Sequence, residues 1–364
     1  MKLLLLLIGD NNISNYALVK FLKRKGFEFD KIGVIYTQKT KNNAENLKKI
    51  LDYDFLEIDV ENVKEDYLKV KEKVKNELKK YPIETVFLDY TGGLKSMSLG
   101  AFLAVNELEI NEENKYISYV LYQSNEIIFK RGDRYKLNEN LSIKEIAGVH
   151  GVFSLEEKKE NSEFFNLENV FWLLEQVKNN EEEFFSIWDK DFRELKKINW
   201  QESLKNSPFN LEDISNKKLK NFQKYIRGDF LEEYIFNILN EIKDEAKIYE
   251  IAWNVREKEG KNDKVEMDVI ATKNNNLYLF SCTTDKRKGK AKTKGFEAKE
   301  RATQYGGKNA KAILVSCIDE SQKDALLEDL KEKKGGSKPE VITYQDLVDI
   351  DRLKQKLKAI FNER

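Results

Sequence analysis

Five short apolar runs open the chain: Lys2–Ile8, Lys31–Tyr36, Asp54–Ile58, Thr85–Leu88 and Tyr116–Leu121. Between them lie stretches with helical periodicity, Ser14–Lys25, Lys41–Leu51, Val63–Lys80 and Lys95–Asn106. Two parallel neighbours need a crossover long enough to bring the chain back, so strands alternating with helices of this length dictate βαβ units. Glu126–Phe129 reads as a closing hairpin strand. The first part of the chain is therefore expected to be α/β, a Rossmann-like doubly wound sheet whose ligands sit beyond the carboxyl ends of its strands. The loops there are Gly9-Asp10-Asn11-Asn12-Ile13-Ser14, Thr37-Gln38-Lys39-Thr40, Asp89 to Lys95, and Gln123-Ser124-Asn125, all polar and short of acid.

The sharpest of these loops is Asp89-Tyr90-Thr91-Gly92-Gly93-Leu94-Lys95. A strand, a turn with two glycines and a helix start place backbone N–H groups and a positive dipole end where an anion can approach. Thr91 and Ser96 add hydroxyls, and Lys95 adds a point charge. The spacing is not that of a Walker loop, and no G-x-G-x-x-G follows the first strand, which argues against a dinucleotide redox cofactor. The ligand-binding candidates are Gly9, Asn11, Asn12, Ser14, Thr37, Gln38, Asp89, Thr91, Gly92, Gly93, Lys95 and Ser124.

Lys plus Arg and Asp plus Glu number 64 each, so any polyanion must be met by a local patch. Met1–Ile8 is too short to span a membrane and no cleavage site follows it, so it is expected to be a strand. Cys282 and Cys317 lie in apolar runs and read as buried thiols of a cytoplasmic protein. The single histidine, His150, stands between glycines and reads as structural; one histidine excludes a His-rich metal site. Leu141–Ile146 is expected to be a short helix whose apolar face, with the sheet edge, makes a dimer. Residues 152–225 are acidic and aromatic-rich with no strand pattern, and are expected to be a helical connector with Phe164, Phe184 and Trp188 in an inter-helix core. The divisions expected are 1–140, 141–225 and 226–364.

The last part alternates again, with an amphipathic helix from Phe230 and strands at Ile248–Val255, Glu266–Ala271, Leu277–Cys282, Ala312–Ser316 and Val341–Thr343. Glu232 lies at the margin of the helix's apolar stripe, and Glu233 is expected to point further from it. Glu266 and Asp268 share one face at the start of a strand. Three such carboxylates suit a hard divalent cation, Mg²⁺ or Mn²⁺. Asp285 to Lys294 holds six bases in ten residues: Lys286, Arg287, Lys288, Lys290, Lys292 and Lys294. Beside a carboxylate cluster, a basic loop of this kind is what a phosphodiester substrate needs.

With these motifs in order, the chain resembles a CRISPR type III ancillary nuclease: an N-terminal CARF domain, a linker, and a C-terminal PD-(D/E)xK, restriction-endonuclease-like domain. The resemblance rests on the Asp89–Lys95 turn, Leu141–Gly151, Gly228-x-x-Leu231-Glu232-Glu233-Tyr234, Glu266-x-Asp268-Val269, and Glu297–Gly307 followed by Ala312–Ser316. It implies a homodimer that binds a cyclic oligoadenylate, with cyclic tetra-adenylate foremost, and a metal-dependent cut in single-stranded DNA, RNA or both. Glu232, Glu266 and Asp268 would be catalytic, with Glu232, Asp268 and the Cys282 carbonyl on the metal. One departure stands out. Where the family carries Glu-x-Lys, this chain has Ser281-Cys282-Thr283. The competing reading is a sensor that no longer cuts, its nuclease fold binding nucleic acid or a partner.

Overall fold

A computed structural model describes the chain except for residues 122–125, 138, 158–161, 180–181, 198, 210–214, 260–261, 332–338 and 363–364. It divides into two units, Met1–Phe153 and Ser154–Arg364. Residues 154–225 thus belong with the second unit rather than standing alone as a connector.

The first unit runs β1 (Lys2–Leu7), α1 (Ile13–Arg24), β2 (Lys31–Tyr36), α2 (Lys41–Ile50), β3 (Phe55–Asp59), α3 (Tyr67–Leu78), β4 (Thr85–Asp89), α4 (Lys95–Asn106), β5 (Lys115–Leu121), β6 (Glu126–Phe129), β7 (Arg134–Lys136) and α5 (Ile143–Val149). The sheet order is β3-β2-β1-β4-β5-β6-β7. The five strands β1 to β5 are mutually parallel, and β6 and β7 close the edge antiparallel. Strand order reverses between β1 and β4, which makes the crevice at their carboxyl ends the switch point where doubly wound sheets bind ligands. Leu3, Leu5 and Leu7 pack with Val70 and Val74 of α3 and Ala101 and Val105 of α4. Leu4 and Leu6 are equally buried, as a sheet covered on both faces requires.

The apolar face of α5 is not left open as expected. Ile143, Ile146 and Ala147 are buried, and the helix packs on α1 and α2 of its own unit. Glu145 accepts from Tyr16 Oη at 3.0 Å and Lys20 Nζ at 2.7 Å, which ties α5 to α1. Those apolar residues are therefore spent inside the unit rather than left for a second chain.

The second unit runs β8 (Leu155–Glu157), α6 (Leu167–Lys178), α7 (Glu182–Trp188), α8 (Phe192–Leu195), α9 (Trp200–Ser203), α10 (Asn216–Lys224), a π-turn at Tyr225–Asp229, α11 (Phe230–Glu241), β9 (Glu250–Glu259), β10 (Asn262–Lys273), β11 (Asn276–Thr283), α12 (Lys288–Gly306), β12 (Lys311–Ser316), α13 (Lys323–Lys331), β13 (Glu340–Ile342), α14 (Tyr344–Leu347) and α15 (Ile350–Asn362). The sheet order is β13-β12-β11-β10-β9-β8. The segment read as wholly helical thus contains a strand, β8, paired antiparallel to β9. Its three residues are too few to show a period of two. Phe164, Phe184 and Trp188 do join a core with α11 and the sheet. Asn274 and Asn275 take φ of 50° and 63°, a turn of left-handed residues matched to the twist of the β10–β11 hairpin. Among the described residues, no helix is long and apolar enough to cross a membrane.

Gly100 on α4 marks a tight contact with α3. A Cβ there would lie 2.7 Å from Val70 Cβ and 2.8 Å from the Tyr67 carbonyl oxygen. Gly100→Ala is expected to cost about 1–3 kcal/mol through overpacking, read as a lower melting temperature. The same change at Gly289, where nothing lies within 4 Å, should leave the melting temperature in place.

Candidate functional site

In the first unit the loops after β1 and β4 touch backbone to backbone. A Cβ on Gly92 would sit 2.1 Å from the Leu7 carbonyl oxygen, so no other residue fits. Gly93 takes φ +75°, and its amide lies 3.3 Å from where Gly9 would carry a Cβ. The segment after β2 joins them through Asn43 Nδ2 of α2 to the Gly9 carbonyl at 2.9 Å and a Lys39–Asp10 pair from the loop at 3.2 Å. Helices α1 and α4 both start at this crevice with no acid in the first turn and no bond from the N-cap side chain, so their N-terminal amides keep a net positive field there.

The candidate residues divide by where their side chains go. Asn12, Thr37 and Asp89 are buried and act as scaffold. Asn12 donates to the Asn43 carbonyl at 3.0 Å, and the Thr37 amide donates to Thr40 Oγ1 at 3.1 Å. Asp89, 1% exposed, accepts from the Thr91 amide and from Ser118 Oγ, each at 3.1 Å. Thr91 Oγ1 accepts the Val120 amide at 2.7 Å, which fixes the turn against β5. Asn11 Oδ1 accepts the Ile13 amide at 3.0 Å, and Gln38 Nε2 donates to Asp59 at 2.6 Å. Gly93 and Lys95 are exposed at the crevice, with Gly9, Ser14 and Gly92 half-buried beside them. Ser124 lies outside the described residues. Asn15 and Asn43, absent from the sequence candidates, prove to be loop-fixing groups; Asn15 Nδ2 donates to the Leu7 carbonyl at 3.1 Å. Both sit on helices, where an asparagine carries no motif.

In the second unit the β10–β11 ladder runs in register to Val269↔Phe280. Beyond it the Cys282 amide donates to Asp268 Oδ2 at 2.7 Å, and Ser281 Oγ lies 3.4 Å from the same oxygen. Glu232 is reached by Trp253 Nε1 at 3.4 Å. Burial pushes the Glu232 carboxyl well above its ordinary range, and the charges of Asp268 and Asp229 push it further. Burial likewise raises Asp268, against the pull of the Cys282 amide, Lys294 and Arg301. Burial and both carboxylates raise the Cys282 thiol, which stays protonated. The structure therefore brings Glu232, Asp268, Ser281 and Cys282 together.

Other expected members are held differently. Glu266 borders the pair, its charge acting on both Glu232 and Asp268, but it is exposed and paired to Arg256 Nη2 at 3.0 Å; it and Asp268 lie within β10 rather than at its start. Thr283 Oγ1 accepts the Asp285 amide at 3.2 Å. Glu233, expected to point outward, is 0% exposed and accepts the Ser162 amide at 2.7 Å, because the 154–225 segment covers the second face of α11. The basic run is not a loop: α12 begins at Lys288. Lys288 and Lys292 pair with Asp329 at 3.0 and 3.7 Å, Arg287 with Asp285 at 2.5 Å, and Lys286 Nζ donates to the Lys178 carbonyl at 3.0 Å.

Among the described residues no three His, Cys, Asp or Glu side chains converge as a ready-made metal site. Two carboxylates do, and mutual repulsion raises Glu232 beside Asp268. That donor set fits Mg²⁺ or Mn²⁺, since Mg²⁺ commonly takes one or two carboxylates and keeps several waters.

Residues 3–146 match the Card1 CARF domain family, and residues 219–332 match the Card1-like endonuclease domain family. Can2 from Sulfobacillus thermosulfidooxidans, solved in complex with cyclic tetra-adenylate, is similar over 100% of both chains, with a TM-score of 0.72 and 16% identity. Protein VC1899 from Vibrio cholerae is similar over 99% of this chain and 98% of its own, with a TM-score of 0.65 and 17% identity. A type III CRISPR defence DNA nuclease activated by cyclic oligoadenylate reaches a TM-score of 0.50 at 14% identity, over 86% of this chain and 45% of that one. At such identities the structural likeness speaks for the fold. No curated protein matches.

Asp89 yields a pH test. Burial raises its pKa from 3.8 to about 6 despite the Thr91 and Ser118 bonds. A carboxyl raised in the fold favours the folded state below its ordinary range, and this contribution is lost as pH climbs through the folded value. Between pH 4 and 6 the wild type should therefore lose on the order of 3 kcal/mol relative to Asp89→Asn. Urea unfolding of both proteins across that window checks it; parallel curves would contradict the assignment.

Proposed function

Because the chain belongs to the Card1 family, a CARF domain followed by a Card1-like endonuclease domain, we propose that it is a nuclease of type III CRISPR defence, switched on by a cyclic oligoadenylate and dependent on a divalent metal. The observation that carries the reading is the Glu232–Asp268 pair, two carboxylates driven together in a buried site. A single decayed remnant would have no reason to keep that repulsion.

The messenger is a ring of phosphodiesters, with cyclic tetra-adenylate the first candidate. The crevice offers it Lys95, the amides of the Gly92-Gly93 turn and two helix N-termini with no acid in their first turns. A symmetric ring suits two copies of this site facing each other across a two-fold axis. Helix α4 supports such a homodimer: after Lys95 it carries no charge as far as Asn106, yet Leu99 is 45% and the preceding Leu94 43% exposed. Tyr67 and Leu68, at the start of the neighbouring α3, are also exposed. An uncharged helix with an open face is an interface feature rather than a solvent feature.

In the nuclease unit, Glu232 and Asp268 would hold Mg²⁺ or Mn²⁺. When bound, the metal lowers the pKa of water and neutralises charge on phosphate oxygens. The Cys282 amide and Ser281 hydroxyl orient the Asp268 carboxylate. Trp253 orients Glu232. The substrate is single-stranded DNA, RNA or both, drawn to the basic turn before α12.

Asp268→Ala should abolish cleavage of labelled single-stranded DNA and RNA in the presence of cyclic tetra-adenylate and Mn²⁺, while leaving messenger binding unchanged. If the wild type cuts neither substrate with Mn²⁺ or Mg²⁺, the non-cutting sensor reading replaces this one. Lys95→Ala should weaken messenger binding by about 1–3 kcal/mol. Titration calorimetry reads both that loss and the stoichiometry, expected at one ring per two chains; an unchanged dissociation constant would move the binding site elsewhere.

A further inference from the structure

Strand β11 ends in Thr283, whose hydroxyl accepts the Asp285 amide, and it carries no basic residue to bring to the Glu232–Asp268 pair. The neighbouring helix does. Gly295 of α12 is wedged between α13 and β12: a Cβ there would meet Leu330 Cδ2 at 2.9 Å and Leu314 Cδ2 at 3.6 Å. Leu314 is the register partner of Ser281, and Ser281 Oγ contacts Asp268. The residue before Gly295 is Lys294.

Which way Lys294 faces follows from helix geometry. Ala291, Gly295, Ala298 and Ala302 form the buried stripe of α12. Lys294 and Arg301, seven residues apart, fall within about 20° of each other on one flank of that stripe. Arg301 Nη1 donates to the Glu266 carbonyl at 2.8 Å, which shows that this flank faces β10. Lys288 and Lys292 lie on the opposite flank and are bound to Asp329 of α13. Among the described residues Lys294 makes a single loose pair one turn along, to Glu297 at 4.0 Å.

We infer that Lys294 is the catalytic cation of the nuclease site, reaching the scissile phosphate from α12 in place of a lysine on β11. This rests on the nuclease reading above. In hydrolysis a water oxygen forms the new P–O bond and the bond to the leaving sugar oxygen breaks. The attacking water gives a proton to solvent and the departing oxygen takes one back. Lys294 remains protonated throughout and offsets the charge gathering on the non-bridging oxygens.

The test uses the full chain, saturating cyclic tetra-adenylate, Mn²⁺ and fluorescein-labelled single-stranded DNA and RNA. Lys294→Ala should lower kcat about 10²-fold with a smaller change in KM, and Lys294→Arg should retain part of the rate. Adding Thr283→Lys to Lys294→Ala should restore activity at least tenfold, a rescue that a merely structural role of Lys294 would not produce. Oligonucleotide binding in EDTA supplies a readout independent of cleavage: the slope of log Kd against log salt should fall by about 0.7 in Lys294→Ala, one single-strand phosphate contact. A Lys294→Ala variant that cuts at the wild-type rate overturns the inference. So does failure of the alanine and arginine variants alike with no rescue. If the wild type itself does not cut, the nuclease reading falls, and an unchanged salt slope then removes the phosphate contact as well.

Discussion

A carboxylate withdrawn from water where a β-ladder ends organises each half of this molecule. Asp89 closes β4 and takes the Thr91 amide and Ser118 hydroxyl. Asp268 stands where β10 and β11 part and takes the Cys282 amide. An ionised carboxylate in a dry interior is costly unless hydrogen bonds replace its hydration. Asp89 has such bonds and no anionic neighbour, so it serves as a fixed strut beneath the Gly92-Gly93 turn. Asp268 has the amide but also Glu232, and that like-charge pair leaves a deficit which a cation would relieve. The same chemical device thus gives a rigid support in one unit and an unfinished site in the other.

Much of the scaffold was legible in the chain. Buried parallel strands read as continuous apolar runs, and those of the first unit fall within a residue or two of Lys2–Ile8, Lys31–Tyr36 and Thr85–Leu88. The turn after β4 was legible because two adjacent glycines, a threonine and a lysine between a strand and a helix have a definite physical use. Strand β8 was not legible, since three residues carry no periodicity. Nor was the start of α12: Lys288 to Lys294 has no apolar period, and its helicity comes from packing Ala291 and Gly295 against α13 and β12.

The candidate sites were legible in membership more than in orientation. The 100° rule places Glu232 and Glu233 relative to a single apolar stripe, but α11 is covered on two sides, so Glu233 lies inside as well. The basic run looked like one patch because sequence shows composition only. Folded as a helix, it divides into a flank bound to Asp329 and a flank turned toward β10. Trp253 and Arg301, which touch the acidic site, lie in segments with no motif. Their roles depend on the register of β9 against β10 and on the seating of α12.

The contact between Gly92 and the Leu7 carbonyl has a mechanical consequence. Side chains accommodate a push by changing rotamer, and a main-chain contact has none to change. The turn and the end of β1 therefore behave as a stiff coupling, with neither slack nor a compliant spacer between them. Load applied at the Gly92-Gly93 amides enters β1 directly, and from there passes into the two strands hydrogen-bonded to it, β2 and β4.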